Sequence, residues 1–172
     1  MEMKELLDRI VEVTYKADTF LYKKPVKAKP NAPASAADLR RLDAFLASHG
    51  FKAPASYKSC LSVYNGIQRF LSPEYSLFSV DEVIATTKLL SSRFDKEFPD
   101  LVQFVIAGGD TPNFMAFDVT TSAAGEGYEV GEVTGEGRGF RYKNFNKFLT
   151  ELLANLEQTI REEEKDRKKL KP

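Results

Sequence analysis

The stretch LVQFVIAGGDTPNFMAFDV, residues 101–119, reads as two strands around a turn. Leu101–Ala107 is an apolar run of the length a buried strand takes. Gly108-Gly109-Asp110-Thr111-Pro112 carries turn chemistry in every position. Asn113–Val119 then alternates, with Phe114, Ala116 and Asp118 on one face and Met115, Phe117 and Val119 on the other. Downstream, 120–127 is a Gly/Ser/Ala loop, Tyr128–Thr134 alternates again, Gly135–Gly139 turns, and Phe140–Tyr142 is a last short strand. Upstream, Ile67–Leu71 and Tyr75–Phe78 are short strands around Ser72-Pro73.

Helical spacing frames these strands. Leu6, Leu7, Ile10, Val11 and Thr14 predict an amphipathic helix over 3–15, followed by a loop or strap at 23–34 that holds three prolines. Ser35 and Asp38 form a capping pair ahead of Leu39, Leu42, Phe45 and Leu46, and Gly50 ends that helix. Ser56 is read as the cap of a second helix with Tyr57, Cys60, Leu61 and Tyr64 inward. Asn65-Gly66 ends it, since both residues tolerate a left-handed backbone. Ser79 and Glu82 cap a third helix. Asn144 caps a long terminal one striped by Phe145, Phe148, Leu149, Leu152, Leu153, Leu156 and Ile160. Helices, then strands with one inserted helix, then a helix make an α+β fold with a mainly antiparallel sheet rather than alternating βαβ units. Its expected core joins Phe45, Leu61, Phe104, Phe117, Phe148 and Leu152. The expected division is an N-terminal helix and strap at 1–34, a domain at 35–160 and a charged, frayed tail at 161–172.

Composition narrows the chemistry. The 172 residues suit one domain, large enough to bury a core without a metal or disulfide staple. One cysteine, Cys60, allows no intrachain disulfide, and with one histidine, His49, it cannot supply a four-ligand zinc site. Any Ser-His-Asp or Cys-His nucleophile would have to use His49 as its base. His49 precedes Gly50 at a helix end, where a cation suits the helix dipole, and Cys60 falls on an apolar helix face. The glycines from 125 to 139 match no phosphate-binding loop and stand among acids. Asp43 is read as an exposed partner of Arg40 or Arg41, and Asp110 as a residue holding its own turn. No catalytic residue, cofactor site or metal site is expected. No stretch approaches the roughly 18 apolar residues of a membrane span, and acids interrupt the N-terminal apolar run, so a cytoplasmic protein is expected.

Charge is the strongest compositional signal. The net charge is zero, yet residues 73–136 carry 12 acids against 3 bases, net −9. Such a stretch disfavours nucleic acid, whose phosphates need Lys and Arg. It suits a basic protein partner, whose approach it would speed. The plainer reading is that these carboxylates serve solubility alone.

The pieces from Ser35 to Phe148 occur in an order that resembles the SUKH superfamily, which includes bacterial toxin-immunity proteins and eukaryotic regulators of cell-wall synthesis. They are the capped helix with Asp43 near its middle, Gly50, Ala53-Pro54, Tyr57 and Asn65-Gly66. Then come the strand Tyr75–Phe78 leading into Ser79–Ile84, the Ile106-Ala-Gly-Gly-Asp110 turn, Asp118 ending the next strand, and Phe145 with Phe148-Leu149 on the last helix. Ala53 stands where leucine is usual, and the chain has no tryptophan, though one commonly follows Asn-Gly.

The resemblance implies a non-catalytic protein-binding module: an immunity protein that covers a cognate toxin, with a regulatory scaffold as the alternative. The acidic block makes a basic, nuclease-like toxin the expected partner, with no nucleic acid and no membrane involved. The expected contact residues are the carboxylates Glu74, Asp110, Glu126, Glu129 and Glu132, with Tyr75, Tyr128 and Tyr142 as an aromatic centre. An enzyme using paired carboxylates such as Asp110 and Asp118 is the remaining class. No visible base, nucleophile or metal set supports it.

Overall fold

A computed structural model describes residues 1–72, 75–94, 103–109, 113–123, 127–134 and 137–169. In chain order the elements are α1 (Met3–Leu21), β1 (Lys29–Pro30), α2 (Ala36–Ala47), α3 (Ala55–Val63), β2 (Ile67–Ser72), β3 (Tyr75–Leu77) and α4 (Val80–Phe94). They continue with β4 (Gln103–Gly109), β5 (Phe114–Ala123), β6 (Gly127–Thr134), β7 (Gly137–Tyr142) and α5 (Phe145–Lys169). The seven strands form one sheet in sequential order, and every neighbouring pair is antiparallel. The fold is α+β with a long C-terminal helix.

Local chemistry sets most element ends. At α2, Ser35 Oγ accepts the Asp38 N–H, and Asp38 Oδ2 accepts the Ser35 N–H at 2.9 Å, a reciprocal capping box. Gly50 ends α2 at φ +79°, and Phe51 N–H reaches back to the Leu46 carbonyl at 2.9 Å. That is the left-handed close which favours glycine. Ser79 and Glu82 repeat the box at α4, and Asn144 Oδ1 accepts the Lys147 N–H at 2.9 Å to start α5. At α3 the cap is Pro54, with no side-chain hydrogen bond, so Ser56 lies inside the first turn instead of capping it.

Several elements run past their expected ends. α1 continues to Leu21, burying Ala17 and Asp18. The strap pairs its residues 29–30 with β2. Gly108 and Gly109 belong to β4, β5 continues to Ala123, and β7 begins at Gly137. α5 does not fray after Ile160. Lys16 Nζ holds Glu164 at 2.7 Å, and the Arg167 guanidinium lies 4.4 Å from the Phe20 ring centroid, so α1 supports the charged last turns.

All five helices contribute to one main core on one face of the sheet. Its centre is aromatic: Tyr57 meets Phe117 edge-on at 5.2 Å and Phe145 at 5.1 Å, and Phe148 joins them. Leu61, Phe117 and Phe148 are buried as expected, Phe45 and Leu152 are half-buried against the same cluster, and the Phe104 side chain lies outside the described residues. β3 is only three residues long, so among the described residues the first half of β4 has no strand on that side. α4 takes its place, with Thr87 Oγ1 accepting the Val105 N–H at 3.2 Å.

Candidate functional site

The alternation of β5 and β6 sorts their side chains onto two faces. Met115, Phe117, Tyr128 and Val130 join the helix-covered core. Ala116 and Val133 turn the other way and, with Val105, form a separate small cluster flanked by Phe78 and Phe114. Pairing carries this face across the sheet: Val105 stands beside Ala116, Ala116 beside Gly131, and Gly131 beside Arg141. Directly paired residues of an antiparallel ladder share a face.

The next row holds the charges. Asp118 is paired with Glu129 across β5 and β6. The Asp118 side chain is only 4% exposed, and its Oδ2 accepts from Arg141 at 2.6 Å. The other guanidinium nitrogen lies 3.3 Å from Glu129. A buried carboxylate thus fixes a 39% exposed arginine, and the fork of that arginine reaches a second, more exposed acid.

The expected contact residues that are described do not share one face of the sheet. Tyr75, Tyr128 and Tyr142 all pack on the helix side. The Tyr128 hydroxyl accepts the Lys52 N–H at 3.3 Å, and its ring meets Phe51 and Phe117. Burial first, then the charge of Glu132, pushes the Tyr75 hydroxyl well up in pKa. Burial raises that of Tyr142, aided by Glu151 and Glu132, and its ring packs 5.3 Å from Phe148. Glu132 lies over Gly139, where a Cβ would collide with its carboxylate. Glu129 alone of the described set turns to the other face, so the sheet itself separates it from the tyrosines. Glu74, Asp110 and Glu126 lie outside the described residues. Gly131, Phe114 and Arg141 were not among the expected site residues. The period-two pattern places them with Ala116, but pairing across three strands is needed to bring them together.

Other acids of the 73–136 block have local duties. Asp81 binds Arg41 at 2.7 Å, and Glu82 caps α4. Asp43 pairs with Lys58 of α3 at 2.8 Å rather than with Arg40 or Arg41, which ties α2 to α3. His49 is exposed, with Nδ1 2.9 Å from the Phe45 carbonyl. Burial pushes the Cys60 thiol up to about 12, so it stays protonated and un-nucleophilic at neutral pH. Among the described residues, no group of three or more His, Cys, Asp or Glu could hold a metal ion, and no helix is long and apolar enough to cross a membrane.

The described motifs between Ser35 and Phe148 now stand in their structural places, and the model of the SMI1 / KNR4 family (SUKH-1) matches residues 33–151. The chain belongs to the SUKH-1 family. A comparison with curated protein sequences returns no match. The SUKH-1 span begins after α1 and ends within α5. Even so, Leu6, Leu7, Ile10 and Val13 of α1 and Leu153 and Ile160 of α5 lie in the core cluster that the matched span builds. α1 and the part of α5 beyond residue 151 are therefore built into the same packed unit as the matched span.

Proposed function

We propose that this protein is a non-catalytic binding module of the immunity type, which neutralises a cognate toxin by binding it. The observation that carries the reading is the SUKH-1 match over residues 33–151. The state of the two classical reactive residues agrees with it. Cys60 is sealed in the core, and His49 is bonded to its own helix end. The mechanism is occlusion: a rigid folded surface covers the active site of the toxin or the path of its substrate. The acid excess at 73–136 favours a basic toxin, nuclease-like in charge, and electrostatic steering would speed its capture. Nuclease–immunity pairs reach Kd values on the order of 10⁻¹³ M or below, which requires a desolvated apolar centre as well as charge. Action inside the cytoplasm fits a chain whose one thiol needs no oxidation.

The regulatory members of the superfamily supply the second reading, a scaffold in cell-wall synthesis control. Co-expression separates the two. If a toxin is encoded beside this gene, cells producing it should survive only when the protein is present, and the purified pair should form a 1:1 complex. Survival without the protein, or no complex at micromolar concentration, would exclude the immunity reading and leave the scaffold.

A further inference from the structure

The chain contains a single Asn-Gly step, Asn65-Gly66, and it lies where the strap, α3 and α4 meet. Asn-Gly carries a covalent chemistry of its own. The amide nitrogen of the glycine can attack the side-chain carbon of the asparagine, because no Cβ on the glycine obstructs the approach. In this structure both reacting groups are engaged elsewhere. The Gly66 N–H donates to the Tyr64 carbonyl at 2.8 Å, and Gly66 is buried. The Asn65 side-chain oxygen accepts the Val80 N–H at 2.9 Å, which holds the carboxamide toward the start of α4. The strap pins the backbone of the step. Asn31 Nδ2 donates to the Asn65 carbonyl at 2.8 Å, and the Asn31 N–H donates to the Gly66 carbonyl at 3.1 Å.

We propose that Asn65-Gly66 is a deamidation site that the folded junction holds shut, and that it reacts only when the strap, α3 and α4 come apart. In the opened chain the Gly66 nitrogen loses its proton and bonds to Asn65 Cγ. The bond from Cγ to the side-chain nitrogen breaks, and that nitrogen takes up a proton and leaves as ammonia. Water then adds to either carbonyl of the cyclic imide, giving aspartate or isoaspartate. The products differ in what they can rebuild. Aspartate keeps an oxygen for the Val80 N–H and adds a negative charge at a helix start, where the helix dipole favours it. Isoaspartate carries the main chain through the side-chain carbons and lengthens it by a methylene. The junction has no room for that displacement. Even a Cβ on Gly66 would stand 2.6 Å from the Ser79 nitrogen and 2.9 Å from the Leu77 carbonyl oxygen. Each opening of the junction risks a covalent change, and the isoaspartate branch keeps the chain from closing again. This inference is independent of what the protein binds.

The test incubates the full chain in mildly alkaline buffer, once folded and once unfolded in guanidinium chloride. Trypsin then releases the peptide 59–69, which lies between cleavage after Lys58 and after Arg69 and contains the step. Chromatography and mass spectrometry separate its asparagine, aspartate and isoaspartate forms. Conversion should be slower in the folded protein by about a hundredfold or more, the protection given by a junction that must open before it reacts. Asn31→Ala removes a hydrogen bond that pins the step and should speed conversion in the folded protein by about three- to tenfold. Its rate in guanidinium should equal that of wild type. On return to buffer, aspartate chains should recover the wild-type melting transition and isoaspartate chains should not. Equal rates for folded and unfolded wild type, or no acceleration in folded Asn31→Ala, would overturn the protection. Isoaspartate chains that recover the wild-type transition would overturn the block on closing.

Discussion

The side-chain oxygen of Asn65 accepts the N–H of Val80 at 2.9 Å, so a residue at the end of α3 caps the start of α4, fifteen positions on. Asn65 also donates its own N–H to the Ala32 carbonyl at 3.1 Å, and its carbonyl accepts Asn31 Nδ2 at 2.8 Å. The strap, α3 and α4 therefore meet on one side chain and its backbone. The positive φ of this turn belongs to Gly66 alone, at +86°, and a Cβ there would stand 2.6 Å from the Ser79 nitrogen.

Both residues of the Asn-Gly pair are thus separately testable. Asn65→Ala should destabilise by about 1–2 kcal/mol, the usual cost of losing a capping side chain. Gly66→Ala should cost more than the roughly 1–2 kcal/mol of a left-handed alanine, because the methyl also meets backbone atoms that cannot retreat. Urea unfolding of the two variants checks this. Equal midpoints for Gly66→Ala and wild type would refute the packing argument.

Tyr57 is fully buried among Phe117, Phe145 and Cys60, and no described residue hydrogen-bonds its hydroxyl. A buried, unpaired hydroxyl opposes folding. Tyr57→Phe keeps the ring contacts and should raise stability by about 1 kcal/mol. A loss of stability in the calorimeter would mean that the hydroxyl is satisfied in solution.

Asp18 is buried on α1, and burial alone raises its pKa. A carboxyl whose folded pKa lies above the unfolded value holds its proton more tightly when folded. Its contribution to stability is complete below the ordinary value of about 3.9 and disappears as pH rises through the raised value. Asp8 runs the other way, since its hydrogen bonds to Lys4 and Tyr64 lower its pKa, so its contribution is lost on acidification. Comparing variants isolates the first effect. Asp18→Asn should be more stable than wild type at pH 7, and the advantage should vanish as pH falls below about 4. An advantage that persists unchanged at pH 3 would contradict the assignment.

The last turns of α5 rest on α1 through Lys16–Glu164 and Arg167–Phe20. Deleting 161–172 should lower the melting temperature slightly and leave a single cooperative transition. The ion-pair share of the loss should shrink in high salt. Deleting from Phe145 onward should unfold the chain, because Phe145, Phe148, Leu149 and Leu153 leave the core with it. A shorter chain that melts cooperatively without α5 would disprove that dependence.

The features legible in the sequence were those decided within three or four residues. Ser35 with Asp38, Ser79 with Glu82, and Asn144 cap their helices from neighbouring positions. The alternation of 114–118 told its two faces apart because side chains along a strand alternate whatever lies beside it. The run-on of α1 to Leu21 and α5 to Lys169 was not legible. Neither segment has an apolar stripe long enough to announce it, and each is held by the other across the fold.

By itself, then, the sequence determined the α+β class, most caps and the pattern of the strands, since these follow from short-range backbone and side-chain chemistry. It also held the SUKH-1 motifs in order. Only the tertiary structure decided what the acids do: Asp118 and Glu129 converge on Arg141, Asp81 goes to Arg41, and Asp43 goes to Lys58. It also decided that the sheet divides Tyr75, Tyr128 and Tyr142 from Glu129, and that among the described residues nothing stands within 4 Å of a Cβ placed on Gly131. Those relations depend on strand register and on which face the helices cover. Register and coverage arise from pairing between residues far apart in the chain, which no local pattern encodes.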